Sequence, residues 1–219
     1  MPELKLAASI LSCDFLDLKA QVKEAEDAGA NMLHYDVMDG TFVPEISYGE
    51  PVLRSLRKGT KLFMDVHLMT VHPEGKVKSF QEAGADGITV HLETCEDAHE
   101  VLKSIRDCGL KAGLSIKPDT SVSDLIPYLK EADMFLLMTV YPGFGGQKFL
   151  EASVNRIREL RELLDERGLE KDIQVDGGIN QETILKARDA GANVFVAGSA
   201  VFKGNIRDNV LTLKERLLS

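Results

Sequence analysis

The feature that most constrains this chain is a punctuation that returns along it. Ala28-Gly29-Ala30-Asn31, Ala83-Gly84-Ala85-Asp86 and Ala190-Gly191-Ala192-Asn193 are near copies, and Cys108-Gly109-Leu110-Lys111 is a looser one. Each places glycine just past a segment of helical periodicity, where a left-handed C-terminal cap wants it, and then opens an apolar, often β-branched run. Such runs begin near Lys5, Asn31, Lys61, Asp86, Lys111, Met134, Asp172 and Asn193. Helix-period segments follow them, among others over residues 16–28, 75–83, 98–108, 122–130, 150–167 and 181–190. Nearly continuous apolar strands alternating with helices call for a parallel sheet covered by helices. About eight units in 219 residues predict an α/β fold in which residues 1–219 form one domain, a (β/α)8 TIM barrel. The alternative is an open doubly wound sheet. Against it, the first strand, residues 5–11, runs into Ser12-Cys13-Asp14 and not into a Gly-rich dinucleotide turn.

Charge and composition narrow the partners. A formal net charge of −9 repels nucleic acid and anionic lipid. It leaves room for a phosphorylated metabolite, because backbone N–H groups bind phosphate locally. No apolar run is long enough to span a bilayer, and Met1-Pro2-Glu3-Leu4-Lys5 lacks the apolar core of a signal peptide, so a cytoplasmic protein is expected. Cys13, Cys95 and Cys108 are odd in number and not in metal-type spacing, which predicts plain thiols.

Polar residues gather at the strand ends. In His34-Tyr35-Asp36-Val37-Met38 the period of two puts His34, Asp36 and Met38 on one face, and in Asp65-Val66-His67-Leu68-Met69 it does the same for Asp65, His67 and Met69. An unpaired carboxylate on a buried face costs several kcal/mol or neutralises. A divalent ion resolves this, and imidazole with carboxylate suits zinc or a similar metal. His34, Asp36, His67 and Asp176 are therefore candidate ligands of one ion. Strand spacing pairs only His34 with Asp36, and barrel closure must bring the others together. Taken singly, each histidine reads as a hydrogen-bonded core residue, and Asp176 in Asp-Gly-Gly as a turn. Their joint place on the C-terminal face of a barrel favours the site. Two carboxylates touching a metal can also move protons: one removes a proton beside a carbonyl and the other returns it from the opposite side.

Three glycine turns sit at adjacent strand ends: Gly143-Phe144-Gly145-Gly146 after the sixth strand, Gly177-Gly178 after the seventh, Gly198-Ser199 after the eighth. Loops after strands seven and eight often build the phosphate site of a barrel, and glycines let backbone N–H groups approach a ligand. Met38, Met69 and Met138 stand near strand ends, where methionine usually fills core; here two share a face with candidate ligands and would wall a water-excluded site. No G-x-G-x-x-G follows a strand and no P-loop occurs, so no redox cofactor is signalled.

Together these stretches resemble the ribulose-phosphate 3-epimerase family. The carrying segments are Ala8-Ser9-Ile10-Leu11-Ser12, His34 to Gly40 with Phe42-Val43-Pro44, Asp65 to Met69, Met138-Thr139-Val140 with Pro142 to Phe149, Val175 to Ile179, and Ala197 to Ala200. The resemblance implies a barrel that interconverts D-ribulose 5-phosphate and D-xylulose 5-phosphate in the pentose phosphate pathway, through two-aspartate proton transfer and a metal-stabilised cis-enediolate. It matches His34, Asp36, His67 and Asp176 to the metal, commonly zinc, sometimes iron, manganese or cobalt. It matches Asp36 and Asp176 to the acid–base pair and Ser9 and His67 to substrate contacts. Met38, Met69 and Met138 match the cap on the intermediate. Gly143, Phe144, Gly145, Gly146, Asp176, Gly177, Gly178, Gly198 and Ser199 match substrate- and phosphate-binding positions. It also implies a homo-oligomer, dimer or hexamer. Two positions depart from the family pattern: Ala8 stands where proline precedes the serine, and Glu45 where asparagine follows Phe-Val-Pro. Glu45 is expected to charge the loop near the mouth and bear on sugar preference.

Three rivals stand beside this reading. One is the same chemistry on D-allulose 6-phosphate. Another is a non-catalytic sugar-phosphate-binding barrel, against which both aspartates and both histidines argue. The third is a metal-dependent aldolase or lyase, which would release a carbon fragment. Of the remaining histidines, His91 ends the fourth strand on the catalytic face and could support a ligand from behind, whereas His72 and His99 are expected at the surface. Arg156-Ile157-Arg158-Glu159-Leu160-Arg161-Glu162 is expected to be a solvated helix face with i,i+4 pairs.

Overall fold

The computed structural model describes residues 2–219. Eight strands, β1 (Lys5–Ser9), β2 (Met32–Met38), β3 (Phe63–Met69), β4 (Gly87–His91), β5 (Lys111–Ile116), β6 (Met134–Met138), β7 (Asp172–Asp176) and β8 (Val194–Ala197), pair in parallel in chain order, and β8 closes on β1. The predicted barrel is the observed one. Its helices are α1 (Leu18–Asp27), α2 (Glu50–Arg57), α3 (Val77–Ala83), α4 (Ala98–Asp107), α5 (Ser153–Asp165), α6 (Thr183–Asp189), α7 (Ser199–Phe202) and α8 (Ile206–Leu218). No helix among the described residues is long and apolar enough to cross a membrane.

Strand alternation sorts the core into two regions. Outward residues such as Leu33, Tyr35, Val66, Leu68, Phe135 and Phe195 are fully buried against the helices. Ala8 belongs to this outer layer, so its departure from the family pattern bears on strand–helix packing and not on the interior. Inward residues change character along the axis. Ala7, Met32, Met134, Val194 and Val196 form an apolar cluster inside the barrel. His34, Asp65, His67, Thr89, Ser115 and Gln174, all fully buried, form a polar zone on alternate strand positions. The glycine punctuation works as its chemistry demands. Gly84 ends α3 at φ +106°, and a Cβ there would stand 2.6 Å from Arg57 Cγ.

Two local expectations are revised and a third gains its bounds. The first strand ends at Ser9 because Ile10–Ser12 turn into a 3-10 helix capped by the Ser9 hydroxyl, which accepts from Leu11 N–H. The helix expected over residues 122–130 is a 3-10 helix, Val122–Tyr128, with Pro127 inside it; proline supplies no N–H and its ring crowds the preceding turn. The helix that the alternation calls for after the second strand, without fixing its bounds, is α2. Its start carries the matching signals, Gly49 as cap, Glu50 in the first turn and Pro51 behind it, and it buries only Leu53 and Leu56.

Candidate active site

Register places the polar strand ends side by side. Between β2 and β3, His34 lies beside Asp65, Asp36 beside His67 and Met38 beside Met69. Ser9 of β1 lies beside His34, and Met138 of β6 beside Asp176 of β7. Side chains from β2, β3 and β7 then converge inside the barrel. His34 Nε2 and His67 Nδ1 are 3.3 Å apart, and each is 3.2 Å from Asp36 Oδ1. Asp176 Oδ2 lies 3.8 Å from the first nitrogen and 3.9 Å from the second. One donor atom from each of the four residues falls within 4.8 Å of the others.

This donor set fits a divalent ion. Four N and O atoms bound tetrahedrally at about 2.0–2.2 Å stand about 3.3–3.6 Å from one another. Five of the six separations, 3.2 to 3.9 Å, differ from that by a few tenths of an ångström, and the sixth, between the two carboxylates, is at most 4.8 Å. Electrostatics agree. Burial opposes charge on His34, but Asp36 and Asp65 outweigh it and hold the imidazole well above its usual range. Burial likewise opposes charge on Asp36, and His34 with His67 override it to hold the carboxyl below the usual range. Asp176 is pushed up to about 7, by burial first and then by the Asp36 charge. His67 is held down by burial. The cluster thus gathers more buried carboxylate than imidazole can neutralise, which is a demand for a cation at its centre.

The ligand rings are held from behind. Asp65 Oδ2 sits 2.7 Å from His34 Nδ1 and also accepts from Gln174 Nε2 at 2.6 Å. An ionised carboxylate only accepts, so His34 Nδ1 carries hydrogen and Nε2 is the ring nitrogen that faces the cluster, free to bind a cation once its proton leaves. Ser9 donates its hydroxyl to Asp36 Oδ2 at 2.6 Å, which leaves Oδ1 for the two imidazoles.

Above the cluster a cavity of about 70 Å³ opens at the C-terminal end of the barrel. Asp36, Asp176, Ser9 and the three methionines Met38, Met69 and Met138 line it, and Gly143, Phe144, Gly145 and Gly146 form one side. Gly177, Gly178, Gly198 and Ser199 close the other. Met38 and Met69 pack with Val43, Met138 with Leu136 and Val140, and each methionine is at most 5% exposed. Gly178 cannot be replaced without movement, since its φ is +66° and a Cβ would stand 2.3 Å from the Phe149 backbone nitrogen. Phe144 is half exposed at the lip.

The predicted site residues therefore meet in one place, with two qualifications. His34 and His67 are fully buried beneath the cavity and do not line it, so the expected substrate contact from His67 is not made by an exposed edge of its ring. Glu45 is exposed and does not line the cavity; its carbonyl accepts from Gly40 N–H at 3.0 Å and holds the loop after β2 in a turn. The helix around Arg156 is solvated in part, with Arg158, Glu159 and Glu162 exposed as expected, and the rest is corrected. Ile157 and Leu160 are fully buried, and Arg156 donates through Nη2 to the Lys117 and Thr120 carbonyls, both at 2.8 Å, where a solvated face was expected. The one i,i+4 pair there is Arg161 with Asp165, at 3.9 Å. His72 and His99 lie at the surface as expected, with side chains 69% and 48% exposed. The support from Gln174 was missed, although it sits two residues before Asp176 on the same strand face.

The profile of the ribulose-phosphate 3-epimerase family matches residues 5–202. The chain is 43% identical to the ribulose-phosphate 3-epimerase of Bacillus subtilis over 95% of this chain and 97% of that one. It is 46% identical to the Synechocystis enzyme of the same name, over 90% of this chain and 86% of the other. Among solved structures, KGPDC from Streptococcus mutans superposes with a TM-score of 0.74 at 15% identity, covering 99% of this chain and 98% of that one, which shows a shared barrel fold. With both long-range sequence agreement and a closed eight-stranded barrel, the chain belongs to the ribulose-phosphate 3-epimerase family.

Proposed function

We propose that the protein inverts C3 of a ketose phosphate, interconverting D-ribulose 5-phosphate and D-xylulose 5-phosphate. The observation that carries this reading is the pairing of Asp36 and Asp176 in one small methionine-walled cavity, beside glycine turns. The reaction needs one base on each face of the carbon that inverts. Asp36 comes from β2 and Asp176 from β7, with β8 and β1 between them, so the two carboxylates reach the cavity from separate walls. One takes the C3 proton, leaving an enediolate, and the other delivers a proton to the opposite face; in the reverse direction the roles exchange. Without an ion their environments are unequal, with Asp36 held below the usual carboxylate range by the two histidines and Asp176 raised by burial. A divalent ion held by His34, Asp36, His67 and Asp176, zinc with iron, manganese or cobalt as alternatives, would polarise the carbonyl and acidify the C3 proton.

The other residues follow from position. Ser9 fixes Asp36 through the 2.6 Å hydrogen bond and has its side chain at the cavity wall. Met38, Met69 and Met138 offer no hydrogen to transfer and keep water from a reactive enediolate. The backbone around Gly143–Gly146, Gly177-Gly178 and Gly198-Ser199 supplies the phosphate end of the site.

The test is ¹H NMR of D-ribulose 5-phosphate in D₂O with the purified protein, before and after chelation of divalent ions. Xylulose 5-phosphate should form with deuterium at C3, stop on chelation and resume with zinc, iron or manganese. Absence of turnover with every restored metal rejects this substrate. Comparison of kcat/KM on D-allulose 6-phosphate then distinguishes the neighbouring sugar, and a binding-only barrel turns over neither.

A further inference from the structure

His91 lies outside the four-residue cluster, yet it is fully buried and both ring nitrogens have partners. Its Nε2 is 2.9 Å from His67 Nε2, and its Nδ1 is 3.2 Å from Glu93 Oε2. Two ring nitrogens at that separation bond only when one carries hydrogen and the other is bare. Glu93 decides which. Its Oε1 accepts from Lys117 N–H at 2.7 Å and from the Thr120 hydroxyl, and against the effect of burial the bonds to His91 and Thr120 hold the carboxyl down to about 2, so Glu93 is ionised and can only accept. His91 Nδ1 therefore carries hydrogen toward Glu93, and Nε2 of the neutral ring is bare. His67 must then donate its own Nε2–H into His91. The result is a bare His67 Nδ1, the atom that faces His34 Nε2 and Asp36 Oδ1.

We propose that His91 and Glu93 are positioning residues for the metal site, a two-link relay that locks His67 in the tautomer and ring orientation able to bind a divalent ion. This inference rests on reading His34, Asp36, His67 and Asp176 as ligands of one ion. The packing supports a fixed ring. His91 and His67 meet edge to edge, their planes tilted by 30° and their centroids 5.0 Å apart, and Phe42 lies against His91 at 4.8 Å. The far end of the relay is anchored as well. Glu93 is tied to the loop after β5, and the carbonyls of that loop at Lys117 and Thr120 are gripped by Arg156 from α5. His34 has its tautomer fixed in one step by Asp65, whereas His67 depends on this longer chain. A neutral glutamine at position 93 could instead donate to His91 Nδ1. The whole relay would then reverse, and the hydrogen on His67 would move to Nδ1, where it competes with the ion.

Zinc affinity by chelator competition, with folding checked by circular dichroism and Tm, tests the relay without reference to turnover. His91→Leu should bind zinc about 10- to 100-fold more weakly than the unmodified protein, and Glu93→Gln should also lose affinity, by a smaller factor. His91→Gln, whose side-chain oxygen can accept where Nε2 did, should recover part of the loss. Long-range ¹H–¹⁵N NMR of the zinc-loaded protein reads the relay directly: His67 should carry hydrogen on Nε2 and His91 on Nδ1. If His91→Leu does not fold, Glu93→Gln and the NMR spectrum of the unmodified protein carry the test. Unchanged zinc affinity in Glu93→Gln and in a folded His91→Leu, or a His91 ring with hydrogen on Nε2, overturns the relay while leaving the metal site standing. An unmodified protein that binds neither zinc, iron nor manganese overturns both.

Discussion

The two ends of the barrel interior differ in a way that runs against size. The N-terminal end holds a cavity of about 460 Å³, bordered by Lys5, Phe63, Lys111, Asp133 and Asp172, while the C-terminal end holds only about 70 Å³. At the wide end, charge is balanced and partly wet: Lys5 Nζ meets Asp172 Oδ2 at 2.8 Å with both side chains more than a quarter exposed, and Lys111 Nζ lies 3.7 Å from Asp133. At the narrow end, Asp36, His34 and His67 are buried with no full set of counter-charges, and their ionisation is shifted accordingly. Unbalanced buried charge, and not volume, marks the end where chemistry is to be sought. One residue touches both ends: Asp65 borders the wide cavity and holds His34.

The sharpest way to break this contrast is to neutralise the carboxylates of the narrow end. Asp36→Asn or Asp176→Asn should lower kcat by about 10³-fold or more, since each removes one proton-transfer group of the proposed mechanism and one donor of the cluster. The proteins should stay folded, which circular dichroism would show, because asparagine keeps the shape. Near-normal turnover of either purified variant would sink the two-aspartate mechanism. A smaller effect is expected from Met138→Ala, which opens the cavity wall at a residue only 2% exposed. Admitting water beside the intermediate should lower kcat by about tenfold with little change in KM, a split that steady-state kinetics can read. An equal loss in both would mean that the methionine serves only packing.

Gly178→Ala tests the backbone of the same end. The added Cβ would meet the Phe149 nitrogen at 2.3 Å, and φ is +66°. Backbone strain of that kind costs about 1–3 kcal/mol. Tm should fall, and KM for the sugar phosphate should rise as the turn that carries Gly177 and Gly178 moves. A variant with unchanged Tm and KM would show that the turn has room the geometry denies it.

Much of this was legible in the chain because each signal was local or periodic. Strand alternation put His34 with Asp36, and glycine punctuation marked the ends of α1, α3, α4 and α6. The family resemblance rested on motifs that fall at strand ends, and the strands carry them to one face. What stayed hidden was set by contacts between distant strands. That Gln174 supports Asp65 requires β7 to reach β3 across the barrel interior, a separation of 109 residues. Arg156 looked like one more charge on a surface helix, because only the folded chain brings the carbonyls after β5 within its reach. The burial of His67 beneath the cavity depends on register, which alternation alone does not fix.

The smallest effect belongs to the wide end, and it is the control for the whole contrast. Lys5→Met separates the Lys5–Asp172 pair without touching any of the four residues His34, Asp36, His67 and Asp176. A partly exposed pair of this kind is worth about 0–1 kcal/mol, because water screens it and ordering two side chains costs entropy. Asp172 also keeps the Asn193 Nδ2 donor at 2.7 Å, so the carboxylate is not left without a partner. Tm should shift by a few degrees at most, kcat and zinc affinity should not move, and the shift should shrink further at high salt. If instead kcat falls with Tm unchanged, the two ends are coupled. The route would be Asp65, the one carboxylate that both borders the wide cavity and fixes a ring of the narrow one.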